Sequence, residues 1–497
     1  MTLLGIDAGT THCKAGLFRL DGAAIQIASR VMPARRQPDG RSIYDPAELW
    51  ETVASVVSEV TAGSGSPVAV AGIASMAETG LLLDRRTGEP RTPFVPWYDT
   101  AAAPQAAQLR QADDPRRRFS RTGIFPGYKN SLAKILWLRE QQPDITRDAC
   151  WLSVADYIAY RLTGVAGTDY SLAGRCYAFS LPDAGWDEAW LQSLGLSTDL
   201  FPPASPSGTP LGRVTAPLPG LPAGTPVAVG GHDHLCAAVA AGVVEPGCLF
   251  DSMGTAEVLM GVIPPRRLGE AEYASNLTFG YHAAPGRFYW LGGLSASGGS
   301  LDWLRRILGD PPLKYTKLEE LAAAMPPEPG EILYLPYLAG SSSPWPDPDL
   351  AGAFLGLRAG HGRPALLKAV LEGAAYQIEA MRRAAREALG SSGERIVVTG
   401  GGARLQPWLQ IKADVTGCRH EVTAVPEAAA LGAALVAAAG SNLYASIEEA
   451  VTATARPPLQ IVEPDAEQHA RYRRLYEQFV AWQEPLRRLS RPGGSDG

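Results

Sequence analysis

Two distant segments of this chain share one pattern: a short apolar run, a turn built from glycine and threonine, and a second apolar run. In the first, LLGID at residues 3–7 leads through Ala8-Gly9-Thr10-Thr11 into KAGLF at 14–18. In the second, GCLFDSMGTAEVLMGVI at 247–263 carries Gly254-Thr255 at its turn. Each reads as a pair of strands with a polar, glycine-bearing tip. Strands and helices alternate behind both. The repetition constrains the fold to two α/β lobes, divided near 240–246. The length of 497 residues fits, since about 100–200 residues make a domain. A cleft between two lobes is a common place for a small-molecule site.

Local signals fill in the lobes. Asp45-Pro46-Ala47-Glu48 predicts a helix start, with Asp45 capping, Pro46 in the first turn and Glu48 closing a capping box. Leu49, Val53, Val56 and Val60 follow at helical spacing. PVAVAGIA at 67–74 and PVAVG at 226–230 predict buried strands, and 132–141 and 153–162 predict helices, the second stopped at Gly164. Residues 365–389 read as one long helix, RIVVT at 395–399 as a strand running into Gly400-Gly401-Gly402, and 428–440 as a small-residue helix suited to close packing. The tail from Arg491 is polar and glycine-rich.

Composition removes several classes. A net charge of −6 and a pI near 5.8 leave no basic excess for nucleic acid. Arg116-Arg117-Arg118 and Arg487-Arg488 are short runs that read as solvated faces. Cysteines at 13, 150, 176, 236, 248 and 418 form no C-x-x-C, which excludes zinc-ribbon and thioredoxin patterns and predicts reduced, buried thiols. No basic leader precedes the first strand, and no apolar run reaches the roughly 18 residues that span a bilayer. The expectation is a cytoplasmic enzyme with no membrane partner.

Three glycine turns are candidates for holding phosphate: Asp7-Ala8-Gly9-Thr10-Thr11, Ser252-Met253-Gly254-Thr255 and Thr399-Gly400-Gly401-Gly402. Neither a P-loop nor a Rossmann fingerprint is present. Glycine lets backbone N–H groups approach phosphate oxygens, threonine adds a hydroxyl, and Lys14 adds charge beside the first turn. Asp7, at a strand end before such a turn, suits a magnesium ion held through water or, as the alternative, a turn cap. In Gly230-Gly231-His232-Asp233-His234, Asp233 is placed to take a proton from a substrate hydroxyl. The two histidines also offer imidazoles to a metal, without a third ligand in sequence reach. Ser75-Met76-Ala77-Glu78-Thr79 and Pro96-Trp97-Tyr98-Asp99 combine carboxylates with an aromatic face, as sugar sites do. The alternative reading makes Trp97 and Tyr98 core residues and Glu78 a surface residue.

Taken in order, these segments resemble the FGGY carbohydrate kinases. GIDAGTTHCKAG, VPWYD, SLAKILWLRE, DYIAYRLTGVAGTDYSLAG, GGHDHLCAAVAAGVVEPGCLFDSMGTAE, GGLSASGGSLDWL, LEGAAYQIE, VVTGGGAR and EAAALGAAL carry the likeness over about 1–485. The resemblance implies two ribonuclease-H-like lobes of the actin and sugar-kinase type closing over ATP and sugar. An N-terminal lobe at 1–243 would bind sugar and carry the base. A C-terminal lobe at 244–485 would bind nucleotide, with a polar tail at 486–497. It implies Asp233 as catalytic base and Glu78, Thr79, Trp97, Asp99 and His234 at the sugar. It implies Gly9, Thr10, Thr11, Lys14, Gly254, Thr255, Gly298, Gly401 and Gly402 at ATP, and Asp7 at Mg2+. Dimers are common in such a family, though no segment here identifies an interface. Lys134 and Trp137 of the K-x-x-W helix read as structural.

The acceptor motifs are mixed. Glu78-Thr79 resembles glycerol kinases, but Ala77 stands where those carry an arginine. Xylulokinases carry a histidine where Glu78 stands, whereas Trp97-Tyr98-Asp99 resembles the W-x-D of pentulose kinases. His234 replaces the usual Gln or Asn after the base, and Gly127-Tyr128-Lys129-Asn130 is offset by about one residue from the family's pattern. These residues point to a short ketose, a pentulose or tetrulose, with a polyol such as glycerol or erythritol as the alternative. A sugar sensor that binds ATP without turnover is the reading from another class. Actin-like chaperones and filament proteins share the fold but have no use for Asp233, Glu78 and Trp97 around a sugar.

Overall fold

The computed structural model describes residues 1–63 and 65–490. The first sheet is built from Thr2–Ala8 (β1), His12–Phe18 (β2), Ala24–Val31 (β3), Val68–Ser75 (β4), Pro210–Arg213 (β5) and Pro226–His232 (β6). Its order is β5-β6-β4-β1-β2-β3. β1 pairs antiparallel with β2 and β2 with β3, whereas β1, β4 and β6 run parallel. The second sheet comprises Cys248–Met253 (β7), Glu257–Ile263 (β8), Thr278–Tyr281 (β9), Phe288–Leu294 (β10), Arg395–Thr399 (β11), Arg419–Val422 (β12) and Gln460–Val462 (β13). It repeats the plan: β9, β10, β8 and β7 are antiparallel neighbours, and β7, β11 and β12 run parallel. The repeated strand–turn–strand pattern is thus the antiparallel heart of each of two ribonuclease-H-like sheets.

The helices that position the site are Pro46–Thr61 (α1), Ser131–Gln141 (α2), Val154–Thr163 (α3), Asp233–Ala240 (α4), Gly298–Ile307 (α5), Arg363–Leu389 (α6), Gln406–Thr416 (α7) and Ala428–Gly440 (α8). α1 begins as its sequence requires: the Asp45 carboxylate accepts from the N–H groups of Ala47 and Glu48. The capping box does not form, because the Glu48 carboxylate pairs with Arg35 instead. Leu49, Val53, Val56 and Val60 are fully buried beneath the helix, each contributing about 1.5–3 kcal/mol. Residues 486–490, expected in a polar tail, continue a helix at Gln483–Ser490 with Leu486 buried, and 491–497 lie outside the described residues.

α8 joins the lobes. It belongs to the second half of the chain but lies on the first sheet, where a Cβ added to Gly5 or Gly72 would overlap the carbonyl oxygens of Ala430 and Ala433. Its alanines serve both helix propensity and this close approach. Leu3, Val70 and Ala228 of the first sheet share one buried apolar cluster with Phe250, Met260 and Val397 of the second, and α8 completes it.

Candidate active site

The three parallel strands of the first sheet end together. Ala8 and His232 both lie beside Ser75 in the register. Asp7, Glu78 and Asp233 therefore come to one edge from segments far apart in sequence, at the carboxyl ends of strands where open α/β sheets bind ligands. Thr10, Glu78, Trp97, Asp233 and His234 line a cleft of about 330 Å3, together with Lys129 and Arg175. Ser295 and Ser342 face them from the second lobe.

The turn before Asp233 needs a glycine. Gly231 has φ +124°, and a Cβ there would overlap the Ser171 hydroxyl, which accepts the His232 N–H at 3.0 Å. Ser171 is held by buried Asp169, whose carboxylate accepts the Ser171 N–H at 2.9 Å and the Ser207 hydroxyl at 2.5 Å. The Thr168-Asp169-Tyr170-Ser171 segment thus sets the backbone that carries Asp233.

Asp233 opens α4 and accepts the His234 N–H at 2.7 Å, with His232 Nε2 at 3.2 Å from the same oxygen. A helix N-terminus favours the ionised carboxylate, but burial outweighs it. Burial first and the Glu78 carboxylate next push Asp233 up to about 7, against the pull of the His234 N–H. Burial, with Arg175 adding to it, lowers His234 to about 4, and His232 is lowered well below the usual histidine value by burial, His234 and Arg175. Both imidazoles are neutral.

Asp233 itself completes the three-ligand group that the two histidines lacked in sequence, since the ligand atoms of 232–234 lie within 4.8 Å of one another. A cation there would sit against the field of the α4 N-terminus and of Arg175, and would occupy the carboxylate that a proton acceptor needs.

Glu78 is not a surface residue. Its backbone is left-handed at φ +61°, its side chain is 8% exposed, and its Oε1 accepts from Arg175 Nε at 2.8 Å and Nη2 at 2.5 Å. Buried Lys134 donates to the Glu78 carbonyl at 2.7 Å, so the K-x-x-W lysine locks the strained residue in place. Burial lowers Lys134 to about 7. Arg175 reaches Glu78 from a distant segment of the chain. Neither Arg175 nor Lys129, whose ammonium stands 5.2 Å from the Trp97 ring centroid, was legible from sequence spacing.

Thr79 and Asp99 are brought close but not into the cleft lining. Thr79 is buried and accepts the Trp97 N–H at 3.0 Å; Asp99 caps its own turn through the Ala101 N–H at 2.9 Å. Lys14 pairs with Glu427 at 2.6 Å. Gly9 closes the first turn by donating to His12 O at 3.1 Å, and Thr11 is exposed beside it. In the second lobe Gly254 and Thr255 form an exposed turn whose Gly254 carbonyl accepts the Gly298 N–H at 3.1 Å. Gly402 lies against Met253 of the same turn, and Gly401 is open. The second-lobe turns therefore converge on one another.

Asp7 has one buried carboxylate oxygen with no hydrogen-bond partner. Burial first and the Asp233 carboxylate second push it up to about 8, with Lys14 opposing. Two carboxylates repelling each other beside an unused oxygen fit a hydrated divalent cation such as Mg2+.

Residues 2–240 match the N-terminal domain of the FGGY family of carbohydrate kinases, and residues 249–441 match its C-terminal domain. The chain belongs to the FGGY family of carbohydrate kinases. The kinase is 28% identical to the xylulose kinase of Bacillus subtilis over 484 residues, covering 96% of this chain and 95% of that protein. It is 31% identical to the glycerol kinase of Thermus brockianus over 458 residues, covering 88% and 90%. The crystal structure of xylulose kinase from Rhodospirillum rubrum matches with a TM-score of 0.89 and 28% identity, covering 99% of this chain and 100% of that one. As a carbohydrate kinase the protein is an ATP-dependent phosphotransferase with two actin-like lobes. Among its described residues no helix is long and apolar enough to cross a membrane.

Proposed function

We propose that this kinase moves the γ-phosphoryl group of ATP onto a hydroxyl of a short ketose, a pentulose or tetrulose, with Asp233 as general base. The observation that carries the reading is Asp233 itself: a carboxylate held near pKa 7 at the wall of a cleft shared with Glu78, Trp97 and His234. A base titrating near the working pH combines the right protonation state with a useful driving force. The similarity to xylulose kinases along nearly the whole chain supports a ketose.

The sugar lies with C–H groups against Trp97 and hydroxyls toward Glu78 and His234. Neutral His234 offers both a donor and an acceptor to a carbonyl or hydroxyl. Asp233 orients the attacking hydroxyl and takes its proton as the new P–O bond forms and the bond to ADP breaks. Gly9, Thr10 and Thr11 cradle phosphate oxygens from the first lobe, and Gly254 and Thr255 from the second. Asp7 would hold Mg2+ through water, an ion that offsets phosphate charge when bound. Gly401 and Gly402 border the adenosine. Positioning supplies most of the catalysis, because the transition state needs little covalent help. Lobe closure keeps water from competing as acceptor.

A polyol acceptor is the second reading, favoured by one observation. The Arg175–Glu78 pair restores in space the Arg–Glu combination that glycerol kinases carry in their local motif.

The test is ADP release with Mg-ATP against glycerol, erythritol, erythrulose, the pentuloses, deoxyhexuloses, pentitols and gluconate, beside Asp233→Ala. Stimulation by a ketose that is lost in Asp233→Ala supports the reading. Stimulation that survives the substitution removes Asp233 as base. ATP binding with no stimulation by any acceptor favours a sensor.

A further inference from the structure

Lys412, on α7, is fully buried, as are Asp251, Glu257 and Ser297. Its ammonium lies 2.8 Å from Asp251 Oδ2 and also donates to Glu257 Oε1. The other oxygen of Glu257 accepts the Ser297 hydroxyl. These four residues bracket the second-lobe turns. Asp251 immediately precedes Ser252-Met253-Gly254-Thr255, Glu257 stands two residues after Thr255, and Ser297 immediately precedes Gly298. The backbone closes the same circuit: Ser297 and Gly299 N–H groups donate to Thr255 O, each at 3.0 Å, and the Gly298 N–H to Gly254 O at 3.1 Å.

Lys412 also reaches the third turn. Its ammonium stands 5.6 Å from the ring centroid of Trp408, one turn earlier on α7. That ring approaches within 3.1 Å of where a Gly402 Cβ would stand. One cation thus ties together the Gly254-Thr255 turn, the start of α5 at Gly298 and the Gly400–Gly402 turn.

Buried ion pairs often add no more stability than apolar side chains of equal volume, since desolvating the ionisable groups offsets most of their mutual attraction. What the charges add is register: each hydrogen bond fixes one atom of one turn relative to another. We propose that Lys412, through Asp251, Glu257 and Ser297, is a positioning residue that sets the second-lobe turns at the spacing ATP phosphates require. The inference rests on the reading of Gly254-Thr255 as a nucleotide turn.

The experiment measures binding of the non-hydrolysable analogue AMP-PNP with Mg2+ by calorimetry. It also measures KM for Mg-ATP and for the acceptor found in the panel above. Ser297→Ala deletes only the last link. Lys412→Met combined with Asp251→Leu and Glu257→Leu replaces the charges by apolar volume. Both are expected to keep the wild-type circular dichroism spectrum, to weaken AMP-PNP at least 5-fold in the first and 10-fold in the second, and to leave the acceptor KM within 2-fold. Unchanged AMP-PNP affinity in Ser297→Ala, or parallel losses for nucleotide and acceptor, overturns the proposal. Thr255→Glu, which sets a carboxylate against any phosphate held by the turn's N–H groups, separates the two ideas. If it leaves AMP-PNP binding intact, the reading of the turn fails; if it weakens binding while the Ser297 and Lys412 variants do not, only the positioning role fails.

Discussion

The indole N–H of Trp97 donates to the hydroxyl of Thr10 at 2.9 Å. Two segments read separately from the sequence, one for the acceptor and one for phosphate, therefore share a hydrogen bond. A neutral bond of this kind contributes about 0.5–1.5 kcal/mol. Trp97→Phe keeps an aromatic face but removes the donor, and Thr10→Val removes the acceptor. Each single substitution is expected to lower kcat/KM by about 3- to 10-fold, and the pair to cost less than the sum. A double-mutant cycle with additive losses would show that the bond does not couple the two segments.

Asp233→Asn keeps the shape and removes the carboxylate proposed as the base. General bases contribute about 100- to 10,000-fold, so kcat is expected to fall by that amount. Binding of AMP-PNP is expected to stay within 2-fold, read by calorimetry. A loss of nucleotide affinity to match the loss of kcat would place Asp233 at the phosphates rather than at the hydroxyl.

The same residue sets a pH dependence. Asp233 accepts a proton only when ionised, and its pKa is raised to about 7. Activity is therefore present above that value and lost as pH falls through it, with log kcat/KM dropping one unit per pH unit on the acid side. Glu78 contributes to the rise, so Glu78→Gln is expected to move the midpoint to lower pH. Arg175→Met leaves the Glu78 charge uncompensated and is expected to move it up, with the acceptor KM raised about 10-fold, as befits loss of a charge-assisted pair. Midpoints that do not move in opposite directions would break the electrostatic link.

The lobe junction predicts a stability effect remote from the chemistry. Alanine at Gly5 or Gly72 places a methyl group on a backbone carbonyl of α8, and a helix backbone has little room to give. Overpacking costs about 1–3 kcal/mol and more where the backbone must shift. Thermal melts of Gly72→Ala are expected to fall by several degrees, whereas Gly401→Ala, which meets nothing, should melt like the parent. Equal melting temperatures for the two would mean that α8 does not sit as close as described.

Much of this protein is set locally and was legible in its residues. Asp45 and Pro46 start α1, Gly164 ends α3 in a left-handed cap, and apolar runs flanked by Gly-Thr turns make the two hairpins. The placement of Asp233 after a buried strand and a glycine pair was also visible in the sequence, and the structure puts it at the cleft wall. Other features had no sequence signal. Arg175 meets Glu78 across 97 residues, and Lys412 meets Asp251 across 161. No periodicity records such a pairing, since it exists only once strands are ordered and helices packed. Glu48 shows the same limit in reverse: its spacing favours a local cap, yet Arg35 on a neighbouring strand offers a full charge and takes the carboxylate. The sequence by itself determined the secondary structure, the repeated hairpin and the chemical types at the cleft, because those follow from backbone propensity and apolar periodicity. Only the tertiary structure decided which charges face each other, which carboxylates are raised by burial, and that one alanine-rich helix joins both lobes, because desolvation and packing depend on what surrounds a group in space.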